Sequence, residues 1–286
     1  MLPSGSPEVD LRATVFRPGT VATGCSDTGA KRPVIIINHG TDVSTRESVS
    51  LPVFFWLSRW FVDRGWIVVL PQRRGHGATG GVLQEGLDSC HRPDHYAAGQ
   101  AAADDIEAVA RFMARQSFVD PARLVVAGVS SGGWASLALS GRRLPHLQAV
   151  INFAGGRGAH AWGRPNAVCG LDGLVTAASR FGAANRVPTL WLYSENDSYF
   201  GPDVAAAMAT AFSASGGRAE FHLLGAYGLE GHNLADDRGG WALWGRQLSQ
   251  FLDRNTGTPP RPIADWSRRP GSIPISHPAA PSALAD

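Results

Sequence analysis

The sequence predicts an α/β fold, with a mainly parallel sheet and helices on both faces. Segments with strand character alternate with segments of helical periodicity over most of the 286 residues. Several strand segments are unbroken apolar runs, such as "PVIIIN" from residue 33, and these are typical of parallel strands covered on both faces. The 44% apolar content suits one large globular domain.

The predicted elements begin with an edge strand over 9–16, where apolar and polar residues alternate. Functional residues are expected in the loops at the carboxyl ends of the strands. The remaining strands are predicted at 33–40, 66–77 (including a glycine-rich loop), 120–128, 147–156, 187–197 and 218–225, and the helices at 51–65, 98–116, 132–141, 203–217 and 241–254.

Two regions depart from this alternation. Residues 155–186 contain glycines and no long periodic segment, which predicts a short irregular cover segment over the site. The tail over 255–286 is rich in proline and is predicted to be extended. We therefore predict a single domain over 1–254, followed by that tail.

Composition limits the classes of partner. The net charge of +2 gives no support for nucleic acid or an anionic membrane as a partner. No apolar run reaches the length of a transmembrane helix, and the first residues do not resemble a signal peptide. As the chain stands, the prediction is a cytoplasmic protein that acts on a small molecule and does not bind a membrane.

The three cysteines, Cys25, Cys90 and Cys169, are far apart and lack metal-ligand spacing. Cys90 and Cys169 lie in segments expected to border the pocket. A disulfide between them and two free thiols are equal alternatives, and the disulfide would imply a periplasmic or secreted protein.

The residues Gly128-Val-Ser130-Ser131-Gly132 form a G-x-S-x-G pattern between an apolar strand and a helical segment. In this strand–turn–helix context the central serine sits on a tight turn that has room only for glycine at its ends. Ser130 is therefore the predicted nucleophile. Ser131 lies one step into the helix and is expected to contribute its backbone N–H.

A serine nucleophile needs a base and a carboxylate that orients the base. In this architecture the acid and the histidine follow the serine in that order. Asp197 follows a predicted strand and His232 lies in a loop before the last helix, so they are the predicted acid and base. The rivals are Glu195, expected on the other face of the strand, Asp203, in the first turn of a helix, His222, within a strand, and His277, in the tail.

An oxyanion site requires two N–H donors. We predict the amides of Ser131 and of Thr41, the latter in the loop after the "VIIINHG" strand, with Asp42 as the alternative to Thr41. His39 precedes this loop and is expected to shape it and border the substrate pocket.

These motifs together resemble an α/β-hydrolase of the dienelactone hydrolase or prolyl-oligopeptidase-like esterase branch. The resemblance rests on "NHG", "PQRRGHGATGG", "GVSSGGW", "LWLYSENDSYFG" and "GHN", spread over residues 33–233. It implies the α/β-hydrolase fold and cofactor-free hydrolysis of carboxylic esters by Ser130, Asp197 and His232. Dienelactone hydrolases carry a cysteine nucleophile where Ser130 stands here, which favours a general ester.

Two other motifs are predicted to be structural. Residues 75–80 match G-x-G-x-x-G, but no helix follows to bind the phosphates of a dinucleotide. His91 and His95 are four residues apart, but Pro93 between them argues against a shared helical face for a metal. We therefore predict no cofactor and no metal.

Aromatic residues near the predicted site suggest the shape of the pocket. Trp162 and Phe181 of the cover segment, with Tyr199 and Phe200 after the acid, are expected either to wall a compact acyl or aromatic group or to pack the cover onto the domain. The leading prediction is an esterase for small acyl or aromatic esters. A peptidase or amidase and a non-catalytic binding protein are the alternatives.

Overall fold

The computed structural model describes residues 1–18, 30–42, 44–86 and 89–257. Cys25, His277 and most of the predicted tail therefore lie outside the described residues. The strands are β1 (Ala13–Phe16), β2 (Arg32–Asn38), β3 (Ile67–Pro71), β4 (Val119–Val129), β5 (Leu147–Phe153), β6 (Thr189–Ser194) and β7 (Ala219–Leu224). The helices are α1 (Phe55–Val62), α2 (His95–Ala114), α3 (Ser131–Leu139), α4 (Leu171–Ala184), α5 (Pro202–Ala214) and α6 (Gly240–Thr256).

The seven strands form one sheet in the order β1-β3-β2-β4-β5-β6-β7. Every neighbouring pair is parallel except β1 and β3, which are antiparallel. The predicted fold class, a mainly parallel sheet with helices, is thus confirmed. Because β2, β3 and β6 have buried side chains along nearly their whole length, their sequences are continuous apolar runs.

The chain leaves β2 toward β3 on one side and leaves β4 toward β5 on the other. Adjacent strands whose connections run in opposite directions open a crevice at their carboxyl ends. The loop after β2 and the turn after β4 both border this crevice. The topology therefore brings residues near 40 and near 130 together.

Aromatic side chains pack the helices against one another and against the sheet. The rings of Trp60 in α1 and Trp244 in α6 lie 5.7 Å apart, and Trp244 also contacts Phe153 at the end of β5. On α3, Trp134 packs against Phe181 of α4 with ring centroids 5.0 Å apart. All nine residues of α3 are buried, so the helix after the turn is held rigidly.

The expectation that 155–186 is wholly irregular is wrong, because α4 occupies its second half. This helix packs on α5, and Gly182 allows close contact: a Cβ there would lie 2.0 Å from the carbonyl oxygen of Phe212. The segment that can cover the site is therefore 155–170. A second, smaller difference is that α2 begins at His95 rather than at residue 98.

None of the helices in the described ranges is long and apolar enough to cross a membrane.

Candidate active site

Ser130 lies at the turn between β4 and α3, with φ 55° and ψ −125°. This backbone conformation is strained for a residue with a side chain. The flanking glycines are required by space: a Cβ on Gly128 would lie 2.1 Å from the carbonyl oxygen of Gly132, and one on Gly132 would lie 2.3 Å from that of Asn38. The Ser130 amide donates to the Phe153 carbonyl at 3.1 Å. The turn thus presents a half-buried serine at the carboxyl end of β4.

His232 and Asp197 form a buried pair. His232 Nδ1 lies 3.1 Å from Asp197 Oδ2 and 3.2 Å from Oδ1. Asp197 Oδ1 also accepts the amides of Tyr199 and Phe200, at 2.8 and 3.0 Å. With Nδ1–H donating to the carboxylate, Nε2 keeps its lone pair and can accept a proton.

The ring of His232 is held by its neighbours. Tyr199 stacks on it with ring centroids 4.1 Å apart and an angle of 16° between the planes. The Glu230 carboxylate accepts the amides of His232 at 2.9 Å and of Ser198 at 3.1 Å. Burial acts to raise the pKa of Glu230, but the bonds from the Ser198 hydroxyl and these amides outweigh it and lower the pKa. Glu230 therefore stays ionised and fixes the loop that carries the imidazole.

The residues predicted to supply oxyanion donors are linked to each other. The Ser131 hydroxyl donates to Thr41 Oγ1 at 2.9 Å. Within the described part of the chain, neither the Thr41 N–H nor the Ser131 N–H donates to another protein group. Both amides are thus available to a ligand, as expected for a loop after β2 and for the first residue of a helix.

Two cavities meet at Ser130, and both are lined by Thr41, Asp42, Ser130 and Tyr199. One, of about 460 Å³, is also lined by His232, and we call it the His232-side cavity. The other, of about 470 Å³, is lined by residues 156–160 and Phe200, and we call it the Arg157-side cavity. A substrate group at Ser130 therefore has space on two sides.

The rival acids and bases lie elsewhere. Glu195 is exposed, and Asp203 is in the first turn of α5. His222 on β7 pairs with Glu220, with Nε2 3.0 Å from Oε1. None of these three borders the two cavities at Ser130.

Comparisons with known proteins show which folds this chain resembles. The prolyl oligopeptidase family matches residues 52–155, which include the Ser130 turn. Among solved structures, a puromycin-hydrolyzing peptidase of Mycobacterium tuberculosis matches with a TM-score of 0.62 and 20% identity, over 88% of this chain and 39% of that one. Est1E of Butyrivibrio proteoclasticus, solved with ferulic acid, matches with a TM-score of 0.60 and 14% identity, over 88% and 97% of the two chains. Esterase PE8 matches with a TM-score of 0.56 and 18% identity, over 86% and 100%.

The protein has the α/β-hydrolase fold. The sequence similarity is to the prolyl oligopeptidase family over residues 52–155, whereas a likeness to dienelactone hydrolases stays a prediction. The matched structures include both peptidases and esterases, and the chain spans only 39% of the puromycin-hydrolyzing peptidase, so they do not decide which bond is cleaved. A search among curated proteins found no match.

Behind the candidate site the protein has a buried ion pair that the sequence did not predict. Arg73 Nη2 lies 2.7 Å from Glu85 Oε1, and the two side chains are only 1% and 2% exposed. Glu85 also accepts from the Thr41 hydroxyl at 3.3 Å. The only sequence signal is a run of polar residues, "QRR", directly after the apolar β3. The ion pair fixes the loop that carries Thr41.

His39 has a structural role in this protein. Its Nε2 accepts the Arg73 amide at 3.0 Å, and its Nδ1 donates to the Gly40 carbonyl at 2.7 Å. Burial, together with the positive charge of Arg73, holds the pKa of His39 well below its usual value. His39 is therefore neutral. It borders a third cavity of about 450 Å³, and neither cavity at Ser130.

The four aromatic residues predicted near the site lie in different environments. Tyr199 and Phe200 line the Arg157-side cavity. The expectation for Trp162 is wrong: it is 66% exposed and lines neither cavity at Ser130, because the turn at 161–163 directs it outward. Phe181 lies in α4 and packs in the core.

The remaining motifs contribute to the architecture of the protein. Residues 77–79 of the G-x-G-x-x-G segment form a short 3₁₀ turn, and α2 begins only at residue 95. His95 Nε2 donates to the Cys169 carbonyl at 2.8 Å. Cys90 and Cys169 form a disulfide, which fastens the loop before α2 to the end of the cover segment.

Proposed function

We propose that this α/β-hydrolase cleaves carboxylic esters through an acyl-enzyme, with Ser130 as nucleophile, His232 as base and Asp197 as the carboxylate that orients it. One observation carries the proposal. Ser130, on its strained turn, shares a cavity with the imidazole of the Asp197–His232 pair. An imidazole that a carboxylate orients is the group that takes the proton from such a serine hydroxyl.

The reaction has two halves. His232 Nε2 takes the hydroxyl proton as Ser130 Oγ attacks the ester carbonyl, and the amides of Thr41 and Ser131 stabilise the negative oxygen. The C–O bond to the alcohol then breaks, and the alcohol leaves with the proton held by His232. Water repeats the sequence on the acyl-enzyme, which releases the acid and restores Ser130.

Support for an ester substrate rather than a peptide comes from the share of each matched protein's length that is similar to this chain. The similarity extends over 97% and 100% of two esterases, but over only 39% of the puromycin-hydrolyzing peptidase and 33% of Porphyromonas gingivalis dipeptidyl peptidase 4. The peptidase alternative rests on the matched family. The cavities at Ser130 suit a small molecule.

The deciding experiment compares p-nitrophenyl acetate with p-nitroacetanilide, which differ only in the bond cleaved. We expect hydrolysis of the ester and labelling of Ser130 by a fluorophosphonate. The Ser130→Ala variant should lose at least about a thousandfold in kcat/KM. Preference for the anilide would favour the amidase. Failure to hydrolyse either substrate, with Ser130 unlabelled, would favour a binding protein.

The disulfide between Cys90 and Cys169 supports a location in an oxidising compartment, since such bonds persist outside the cytosol. We therefore prefer the periplasmic or secreted alternative to the cytoplasmic one. Fractionation of the source cells would test this preference.

A further inference from the structure

The two cavities at Ser130 are not equivalent, because His232 borders only one of them. In the proposed reaction His232 gives its proton to the departing alcohol, so the alcohol must lie beside His232. The His232-side cavity therefore takes the alcohol, and the Arg157-side cavity takes the acyl group.

The His232-side cavity lies beside the third cavity, of about 450 Å³. The two share Gly40, Asp42, Phe54 and Asp236 in their linings, so they adjoin. The third cavity is lined along one side by residues 49–54, and we call it the apolar groove. The space for the alcohol thus extends well beyond the reacting carbonyl.

The apolar groove exposes aliphatic side chains. Val49, Leu51 and Val53 are 42%, 38% and 43% exposed, although they belong to a well-packed domain. A hydrocarbon chain laid against them would remove apolar surface from water, which is favourable by about 0.8 kcal/mol for each fully buried methylene. The occupant that continuity with the site indicates is the alcohol of the substrate.

The Arg157-side cavity has a different lining. It contains the buried ionic residues Glu85 and Arg157, together with Ser131 and His160. An alkyl chain there would lie against the polar atoms of Glu85 and Arg157, which is less favourable than contact with aliphatic side chains. A long acyl chain is therefore disfavoured on this side, whereas a compact acyl group such as acetyl avoids most of that contact.

We propose that the enzyme sorts the two halves of its ester, taking a compact acyl group beside Arg157 and an extended apolar alcohol along residues 49–54. This rests on the proposed function. It adds which half of the substrate is long and apolar.

The test uses two isomeric esters, hexyl acetate and ethyl hexanoate, which have the same composition and differ only in the direction of the ester. We expect kcat/KM for hexyl acetate to exceed that for ethyl hexanoate by at least about tenfold. Equal rates, or a preference for ethyl hexanoate, would overturn the sorting while leaving the esterase intact. If neither ester is cleaved and Ser130 is not labelled, the proposed function fails as well.

A variant locates the effect. Val53→Asp places a charge in the apolar groove at an exposed position, and it should lower the ratio of kcat/KM for hexyl acetate over ethyl acetate about tenfold. The matched control is Val82→Asp, at a valine that is 73% exposed and borders none of the three cavities. The control should keep the wild-type ratio. An unchanged ratio in Val53→Asp, or an equal fall in both variants, would contradict a role of the groove.

Discussion

The hydroxyl of Ser131 donates a hydrogen bond to Thr41 Oγ1 at 2.9 Å and so joins the two residues whose amides are proposed to hold the oxyanion. One residue follows β2 and the other begins α3, so the bond fixes the spacing of donors from separate elements. The Thr41 hydroxyl in turn lies 2.9 Å from His76 Nε2. The side chains of both residues therefore matter, although only their amides are expected to contact the substrate.

This relationship leads to a prediction for Thr41→Val, which keeps the shape and loses the hydroxyl. We expect kcat to fall about tenfold with little change in KM, because a displaced donor weakens oxyanion binding in the transition state. Thr41→Ser restores the hydroxyl and should recover most of the rate. Equal activity of the valine and serine variants would show that the hydroxyl is irrelevant.

A second prediction concerns the stacking of Tyr199 on His232. Tyr199→Phe keeps the ring and should retain most of the activity. Tyr199→Leu removes the stacking partner, and we expect kcat to fall about tenfold as the imidazole becomes less well oriented. Steady-state kinetics on p-nitrophenyl acetate provide the measurement, and a fully active leucine variant would refute the argument.

The glycines of the Ser130 turn give a third prediction. A Cβ on Gly132 would lie 2.3 Å from a backbone oxygen, so Gly132→Ala should destabilise the protein by about 3 kcal/mol or more. A Cβ on Gly225 would have nothing within 4 Å, so Gly225→Ala should change stability by about 0.5 kcal/mol at most. Urea denaturation distinguishes them. Similar stabilities would mean that the turn tolerates a side chain.

Stability should also depend on pH through the buried histidines. Burial is the main cause that lowers the pKa values of His39, His76 and His95. Below the usual histidine pKa of about 6.5 the unfolded chain binds protons that the folded chain does not, so the free energy of unfolding should fall as the pH falls from about 6.5. Thermal melts between pH 8 and 5 test this. A melting temperature that is constant over this range would contradict it.

The disulfide between Cys90 and Cys169 joins residues 79 positions apart. On a chain-entropy argument it should contribute about 4 kcal/mol of stability. Alkylation of the unfolded, unreduced protein should label one cysteine per chain, Cys25, and mass spectrometry will count the labels. Three labels would rule the bond out in the purified protein.

The sequence predicts most of the fold because apolar runs and helical periodicity mark nearly every element. It misses α4 because Gly173 and Gly182, usually signals of a loop, lie inside this helix. The absent side chain of Gly182 allows close packing on Phe212, which is a long-range effect.

In the candidate site, too, some residues can be predicted from the sequence and others cannot. Ser130, Asp197 and His232 follow from local motifs and chain order, and the structure brings His232 and Asp197 into contact. The ion pair of Arg73 with Glu85 could not be foreseen, because it depends on how a loop folds back behind Thr41. Trp162 is a residue that the sequence placed at the pocket and the structure places at the surface, since hydrophobic character alone does not determine whether a side chain points inward.

Tyr199 has three roles at once. Its amide donates to Asp197, its ring stacks on His232, and its side chain borders both cavities at Ser130. A substitution there alters the orientation of the base together with the shape of both substrate spaces, so evolution cannot tune one without disturbing the others. Residues with a single role, such as Ala159 in the Arg157-side cavity or Val53 in the apolar groove, are free of that coupling. New specificities in this scaffold should therefore accumulate at those positions first, with Tyr199 changing last.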